Sequence, residues 1–202
     1  MSVSPTADRG VGAVAPDGPS DKEQRILDAV LAVLARAGIS GVSMRAVARE
    51  AGVALGLMNY YFPDKTALIA AALRRLGEQD AQLVEPRPGL DARAQLIRSL
   101  RRVAADEFLA GEYLALRLQL WALAPIDPVY AGINQEAQEG YRNGLGVLIA
   151  AANRGLGAVE VARRAADVLV IQNGIWLTSL LIVDRPAIDR AVGRCEEIAL
   201  AR

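Results

Sequence analysis

The sequence predicts an all-α protein, and three observations carry that expectation. Apolar residues recur at three- and four-residue spacing from Asp21 almost to the end of the 202 residues. No stretch alternates apolar with polar residues for long enough to make a half-buried strand. Aromatics are only 4% of a chain that is 52% hydrophobic, so Ala, Leu and Val must fill the core, as helix packing allows.

Taken in order, residues 1–20 (MSVSPTADRGVGAVAPDGPS) have no periodicity and read as a disordered tail. A first helix starts at Asp21 on a stripe of Ile26, Val30, Val33 and Ala37, thickened by Leu27, Leu31 and Leu34, and Gly38 ends it. Ser43 caps MRAVAREA, whose Met44, Val47, Ala48 and Ala51 face one way while Arg45, Arg49 and Glu50 face the other. Gly52 breaks that helix. A short third helix ends before Phe62-Pro63-Asp64, and Asp64 caps a fourth that runs from Lys65 past Leu76. Further helices are expected near 90–109, 112–123, 128–154, 159–182 and 186–201, broken by Gly111, Pro125, Gly155-Leu156-Gly157 and Asp184-Arg185-Pro186.

Composition narrows the chemistry. Histidine is absent and Cys195 is the only cysteine, which removes Ser-His-Asp and Cys-His catalysis and the usual transition-metal ligand sets. No catalytic residue, metal site or cofactor is expected. The lone cysteine also rules out an internal disulfide and suggests a reducing, cytoplasmic setting. There is no signal-peptide pattern. The longest apolar run, Val168 to Val183, is short of a bilayer span and contains Gln172 and Asn173, so it reads as a doubly buried helix rather than a membrane segment.

Three compact helices with a tight glycine turn between the second and third make a helix-turn-helix. The second helix of such a pair enters the DNA major groove by its N-terminal residues. Leu55 and Leu57, with Gly56 between them, would then meet thymine methyls, and Asn59 an adenine edge. Tyr60, Tyr61, Ser43 and Lys65 are within reach of phosphates, and Arg45 of a phosphate or a base edge. Met58 and Phe62 read as core plugs, while Tyr61 suits packing as well as phosphate contact. Between Asp21 and Leu76, eight basic residues stand against five acidic ones, a modest excess in a chain of net charge +0.

The stretch ILDAVLAVLARAGISGVSMRAVAREAGVALGLMNYYFPDKTALIAAAL resembles the tetracycline-repressor (TetR) family of transcription regulators. The resemblance rests on Gly38, Ser43-Met44-Arg45, Ala48, Ala51-Gly52-Val53, Gly56, Tyr61-Phe62, Lys65 and Leu68 after an amphipathic helix. It implies a DNA-binding domain at 21–66, an effector-binding and dimerisation domain at 67–202, a palindromic operator and a small-molecule effector. It also favours the phosphate role for Lys65. Farther on, ADVLVIQNGIWLTSLL looks like the subgroup of the choline-responsive repressor of betaine synthesis, with Asn173 where that run carries an acid. Two further departures are Ala54, in place of a Ser or Thr cap, and Asn59, in place of a frequent tyrosine.

The last two helices are the expected homodimer surface, since Val168, Ile171, Ile175, Leu181 and Ile182 make 159–182 apolar on more than one side. Tyr113, Arg117, Trp121, Tyr141, Asn173 and Trp176 are the expected ligand-binding set, lining an apolar cavity with a few polar groups; Gln119, Asn134 and Glu136 are of the same kind. The alternatives are that Trp176 is interface core, that Arg117 sits in a structural ion pair, and that Glu136 with Glu139 is a wet face. A DNA-binding protein without an effector is the competing function; a helical enzyme is disfavoured by the missing histidines.

Overall fold

The computed structural model describes residues 21–201; the tail expected at 1–20 lies outside them. Among the described residues there are ten helices and no strand. They are α1 (Asp21–Gly41), α2 (Met44–Ala51), α3 (Leu55–Tyr61), α4 (Lys65–Ala81), α5 (Ala92–Arg102), α6 (Asp106–Leu109), α7 (Gly111–Leu123), α8 (Pro128–Ala152), α9 (Ala158–Leu181) and α10 (Arg185–Leu200). None of them is long and apolar enough to cross a membrane.

The capping chemistry explains most of these boundaries. Ser43, Asp64, Asp91, Asp127 and Asp184 each accept a hydrogen bond from an amide two or three residues on, satisfying a donor that the first turn cannot use. Loss of one such cap typically costs about 1 kcal/mol. Gly38 has φ 65°, so regular helix stops there and a short turn carries the chain through Gly41. Ala37, expected on the apolar stripe, is exposed at that end.

One predicted element divides. The helix expected over 90–109 is α5 followed by the single turn α6. At the join the Val103 carbonyl accepts the Trp176 indole N–H at 3.1 Å, and the Ala104 carbonyl accepts from Arg185 at 3.0 Å. Two carbonyls diverted to α9 and to the start of α10 are lost to the helical ladder, and tighter i→i+3 bonds from Ala104 and Ala105 close the turn. Sequence periodicity is blind to such a long-range acceptor.

The core forms two clusters. The first joins the head (Ile26, Val30, Leu34, Val47, Met58, Phe62) to α4, α7 and α8 through Leu68, Leu73, Leu116 and Tyr130. The second fills the body between α5, α7, α8, α9 and α10, around Leu96, Leu145, Ile149, Val168 and Trp176. The two meet along α7 and α8, which give residues to both, and α4 crosses α8 beside them. There a Cβ added to Gly77 would come within 3.1 Å of the Ala137 side chain, so glycine lets α4 and α8 cross closely. Cys195 is fully buried in the second cluster, and burial pushes its thiol up to about 12.

Candidate nucleic-acid interface and effector site

The head holds α3 between two fixed points. Gly52, at φ 65° and ψ 37°, adopts the left-handed conformation that ends α2, and its amide returns to the Ala48 and Arg49 carbonyls. At the other end the Phe62 amide returns to Met58. Only Met58 of the seven residues of α3 is buried, and it is fully so. Met58 and Phe62 are therefore the plugs that hold the helix, as expected; Met58→Ala would cost about 2–5 kcal/mol.

The remainder of α3 points outward. Leu55, Gly56, Asn59 and Tyr60 are exposed, Tyr60 to 80%, while Leu57 and Tyr61 are half-buried. Tyr61 packs against the head core and meets the Tyr60 ring edge-on at 5.3 Å. A Cβ on Gly56 would meet nothing within 4 Å, so nothing inside the protein requires glycine there. Ala54 makes no side-chain cap, as expected of that replacement. Arg45 is exposed in the first turn of α2, beside the Ser43 cap. The structure thus brings Ser43, Arg45 and the exposed residues of α3 onto the outside of the head.

Lys65 has a partner inside the molecule. Its Nζ donates to the Ile39 carbonyl at 2.8 Å, placing a cation at the C-terminal end of α1, where carbonyls lack helical partners. Arg36 and Arg75 are also engaged, with Glu50 and Asp28 at 2.8 and 2.7 Å, which removes them from the free positive charge of the head.

In the body, the expected apolar cavity is filled by a charged cluster. Arg117 is only 4% exposed. Its Nη2 contacts Asp80 Oδ1 and donates to the Tyr113 hydroxyl at 2.6 Å, and that hydroxyl donates to the same Asp80 oxygen at 2.5 Å. The guanidinium lies 3.8 Å from the Trp176 ring centre and 5.8 Å from that of Trp121, a cation held on aromatic faces. Burial pushes the Asp80 carboxyl upward, opposed by Arg117 and by the Tyr113 hydroxyl. Burial works against the Arg117 charge too, but Asp80 and Tyr113 outweigh it and hold its pKa raised. Tyr113 is raised by burial and by the Asp80 charge, so its hydroxyl keeps its proton.

Tyr141 and Asn173 adjoin this cluster. The buried Tyr141 hydroxyl donates to Gln172 Oε1 at 3.0 Å, and Asn173 Nδ2 donates to Gln138 Oε1 at 3.2 Å. Small cavities flank Arg117 and Trp121. One, of about 20 Å³, reaches Asp80, Asn134 and Gln138; the other, of about 10 Å³, reaches Leu114, Trp176 and Leu180. The first is room for about one water. Of the six predicted residues, Tyr113, Arg117, Trp121 and Trp176 meet around an ion pair where open apolar space was expected, while Tyr141 and Asn173 bond to Gln172 and Gln138 and line neither cavity. Glu136 and Glu139 are exposed, the wet-face alternative, and Asn134 bonds the Leu120 and Tyr130 carbonyls. Asp80 was missed. It follows Ile69, Leu73 and Leu76 at helical spacing, and an acid on that apolar stripe was the signal.

One dimer expectation needs correction. Val168 and Ile175 are 0% and 4% exposed and fill the protomer's own core, so they are not available to a partner. The exposed large apolar residues of α9 are Val159, Val170, Leu177 and Leu181, the last three at seven- and four-residue steps, with Ile182 and Val183 following.

Residues 26–72 match the family described as bacterial regulatory proteins, tetR family. The HTH-type transcriptional regulator BetI of Paraburkholderia phymatum is 25% identical over 81% of this chain and 83% of its own length. The HTH-type transcriptional repressor KstR of Rhodococcus jostii is 37% identical over 48% of this chain and 47% of its own. Among solved structures, a TetR transcription regulator from Haloarcula marismortui superposes with TM-score 0.76 at 20% identity, over 89% of this chain and 96% of that one, a likeness of fold. A transcriptional regulator from Pseudomonas aeruginosa superposes at 0.72 with 25% identity, over 87% and 86%. These relatives are regulators of transcription and not enzymes. The helix-turn-helix head thus carries a match to the tetR family of bacterial regulatory proteins at residues 26–72, and over most of its length the chain is similar to HTH-type transcriptional regulators.

Proposed function

We propose that the chain acts as a homodimeric repressor on a palindromic operator, and that a small molecule bound in its body releases it. Residues 21–66 serve as the DNA-binding domain and 67–202 as the effector-binding and dimerisation domain. Two copies of α3 enter successive major grooves, a whole number of helical turns apart. Leu55 and Leu57 meet thymine methyls, Gly56 allows close approach, and Asn59 takes an adenine edge. Ser43, Tyr60, Tyr61 and Lys65 hold phosphates, and Arg45 a phosphate or base edge. The exposed Val170, Leu177 and Leu181 support assembly through α9 and α10. Tyr113, Arg117, Trp121, Tyr141, Asn173 and Trp176 form the effector site.

The observation that carries this reading is the reach of α4. Its first residue, Lys65, is bonded to the end of α1 in the head, and its penultimate residue, Asp80, is locked in the Arg117 cluster. A ligand that disturbs the cluster therefore acts on a helix tied to both regions. Such a ligand releases DNA only if it prefers the non-DNA conformation; about 1–3 kcal/mol of preference corresponds to about 5–150-fold in operator affinity.

The test begins with selection of bound sites from a random DNA library, followed by anisotropy titrations of the best site against scrambled DNA. A two-half-site consensus bound at least a hundredfold above scrambled DNA is expected. No sequence preference would overturn the reading. The second reading, a constitutive DNA-binder, draws support from the small size of the cavities beside Arg117. The two separate on reciprocity: an effector that loosens DNA must itself be loosened by operator DNA, by the same factor.

A further inference from the structure

The charges around Arg117 specify what kind of molecule the effector site can take, granted the effector reading above. Within the site, Asp80 and Arg117 neutralise each other, and Tyr113, Tyr141, Gln172 and Asn173 bring no net charge. The aromatic faces that would attract a ligand cation are already covered, since the guanidinium sits 3.8 Å from the Trp176 ring centre. A ligand carboxylate would have to take Arg117 from Asp80 and leave that acid buried and unpaired. Either ion thus brings one uncompensated charge into a site only a few per cent exposed.

Among the described residues, the buried side-chain atoms without a partner include three in or near this cluster: Arg117 Nε, Gln172 Nε2 and Asn173 Oδ1. Two are donors and one is an acceptor. Arg117 and Gln172 are 4% and 0% exposed, so their orphaned N–H groups lie where bulk water does not serve them. The side chains of Arg117 and Trp121 form the wall shared by the two small cavities; the rest is mainly leucine, with Trp176 in the smaller cavity and Asp80, Asn134 and Gln138 in the larger. Movement of Arg117 joins the two spaces.

We propose that this site takes an uncharged ligand with an apolar body and a hydroxyl or keto oxygen, which enters by turning Arg117 aside without removing its charge from Asp80. The oxygen accepts from Arg117 Nε, the unpartnered donor whose side chain lines both cavities. The apolar body lies against the leucines around these two water-sized cavities, which must part to admit it.

Three probes with one apolar body test this on the full chain: cyclohexylmethanol, cyclohexanecarboxylate and (cyclohexylmethyl)trimethylammonium. Binding is read by calorimetry and by the fluorescence of Trp121 and Trp176, the two tryptophans of the sequence. The alcohol should bind at least tenfold more tightly than either ion. Asp80→Asn should turn the preference to the carboxylate, and Arg117→Gln to the ammonium, each by at least tenfold. The paired variant Asp80→Asn with Arg117→Gln restores neutrality and should again prefer the alcohol; it decides the matter if a single variant fails to fold. An ion binding the parent best, binding of none of the three, or a ranking that the paired variant shifts toward an ion would overturn the proposal. Operator affinity is measured separately: if the alcohol ranks first but leaves DNA binding unmoved, the ligand class stands and the release reading fails.

Discussion

The short helix α3 and the Arg117 cluster break the usual partition of side chains in opposite directions. The head exposes Leu55 and Tyr60 on a helix with one buried residue, while the body buries an arginine, an aspartate and a glutamine among leucines. Each departure has a local cost that a stable fold would avoid if folding were all that mattered. Exposed apolar groups on α3 gain nothing until another surface covers them. Buried charges must be fully matched, and Arg117 is matched by Asp80, Tyr113 and Trp176 at once. A surface that awaits a partner tolerates substitution for folding but not for recognition. A buried network has the reverse sensitivity.

The largest expected effect tests the buried side of this contrast. Arg117→Ala leaves Asp80 buried and unpaired and should cost about 3–5 kcal/mol in urea unfolding. Asp80→Asn together with Arg117→Met should recover most of that loss. Additive single and double effects would mean that the pair is not coupled.

The same contrast runs along α9. Ile175→Asp places a carboxylate in the protomer core and should unfold or aggregate the protein. Leu181→Asp alters a residue 84% exposed, so protomer stability should stay within about 0.5 kcal/mol while the assembly weakens. Sedimentation at micromolar concentration checks both. A parent that sediments as a monomer removes the proposed dimer, and a Leu181→Asp protein as dimeric as the parent moves the interface elsewhere.

On the exposed side, Asn59→Ala and Leu57→Ala should each lose about 1–3 kcal/mol of discrimination at particular operator positions. Melting should barely register Asn59→Ala, because that side chain is exposed. Asn59→Ala binding every operator variant as the parent does would remove Asn59 from base reading.

Lys65 lies between the two regimes, and its effect is the smallest. Lys65→Met gives up the bond to the Ile39 carbonyl, about 1 kcal/mol of stability. If the ammonium also meets a phosphate, the salt dependence of DNA binding should flatten by about one unit of slope, alike for all sequences. Lost stability with an unchanged slope would make Lys65 a structural residue alone.

The fold was largely legible because its signals are local. Caps, glycine stops and apolar spacing act within one or two turns, so Ser43, Gly52, Asp64 and the ends of α7 to α10 could be read directly. The head was legible for a further reason. A seven-residue helix cannot bury every side, so apolar residues such as Leu55 could be read as facing outward, with Met58 and Phe62 as the plugs behind them. By itself, then, the sequence determined the helical class, the helix-turn-helix and its outward residues, and the exclusion of histidine-based chemistry. Tertiary structure alone decided the break at Val103, the engagement of Lys65, the burial of Ile175 and the pairing of Asp80 with Arg117. In each of these the deciding partner is distant along the chain: Trp176 is 73 residues from Val103, Ile39 is 26 from Lys65, and Asp80 is 37 from Arg117. Helical periodicity says which side of a helix is apolar but not which helix lies against it, and buried charges are settled by what lies against them.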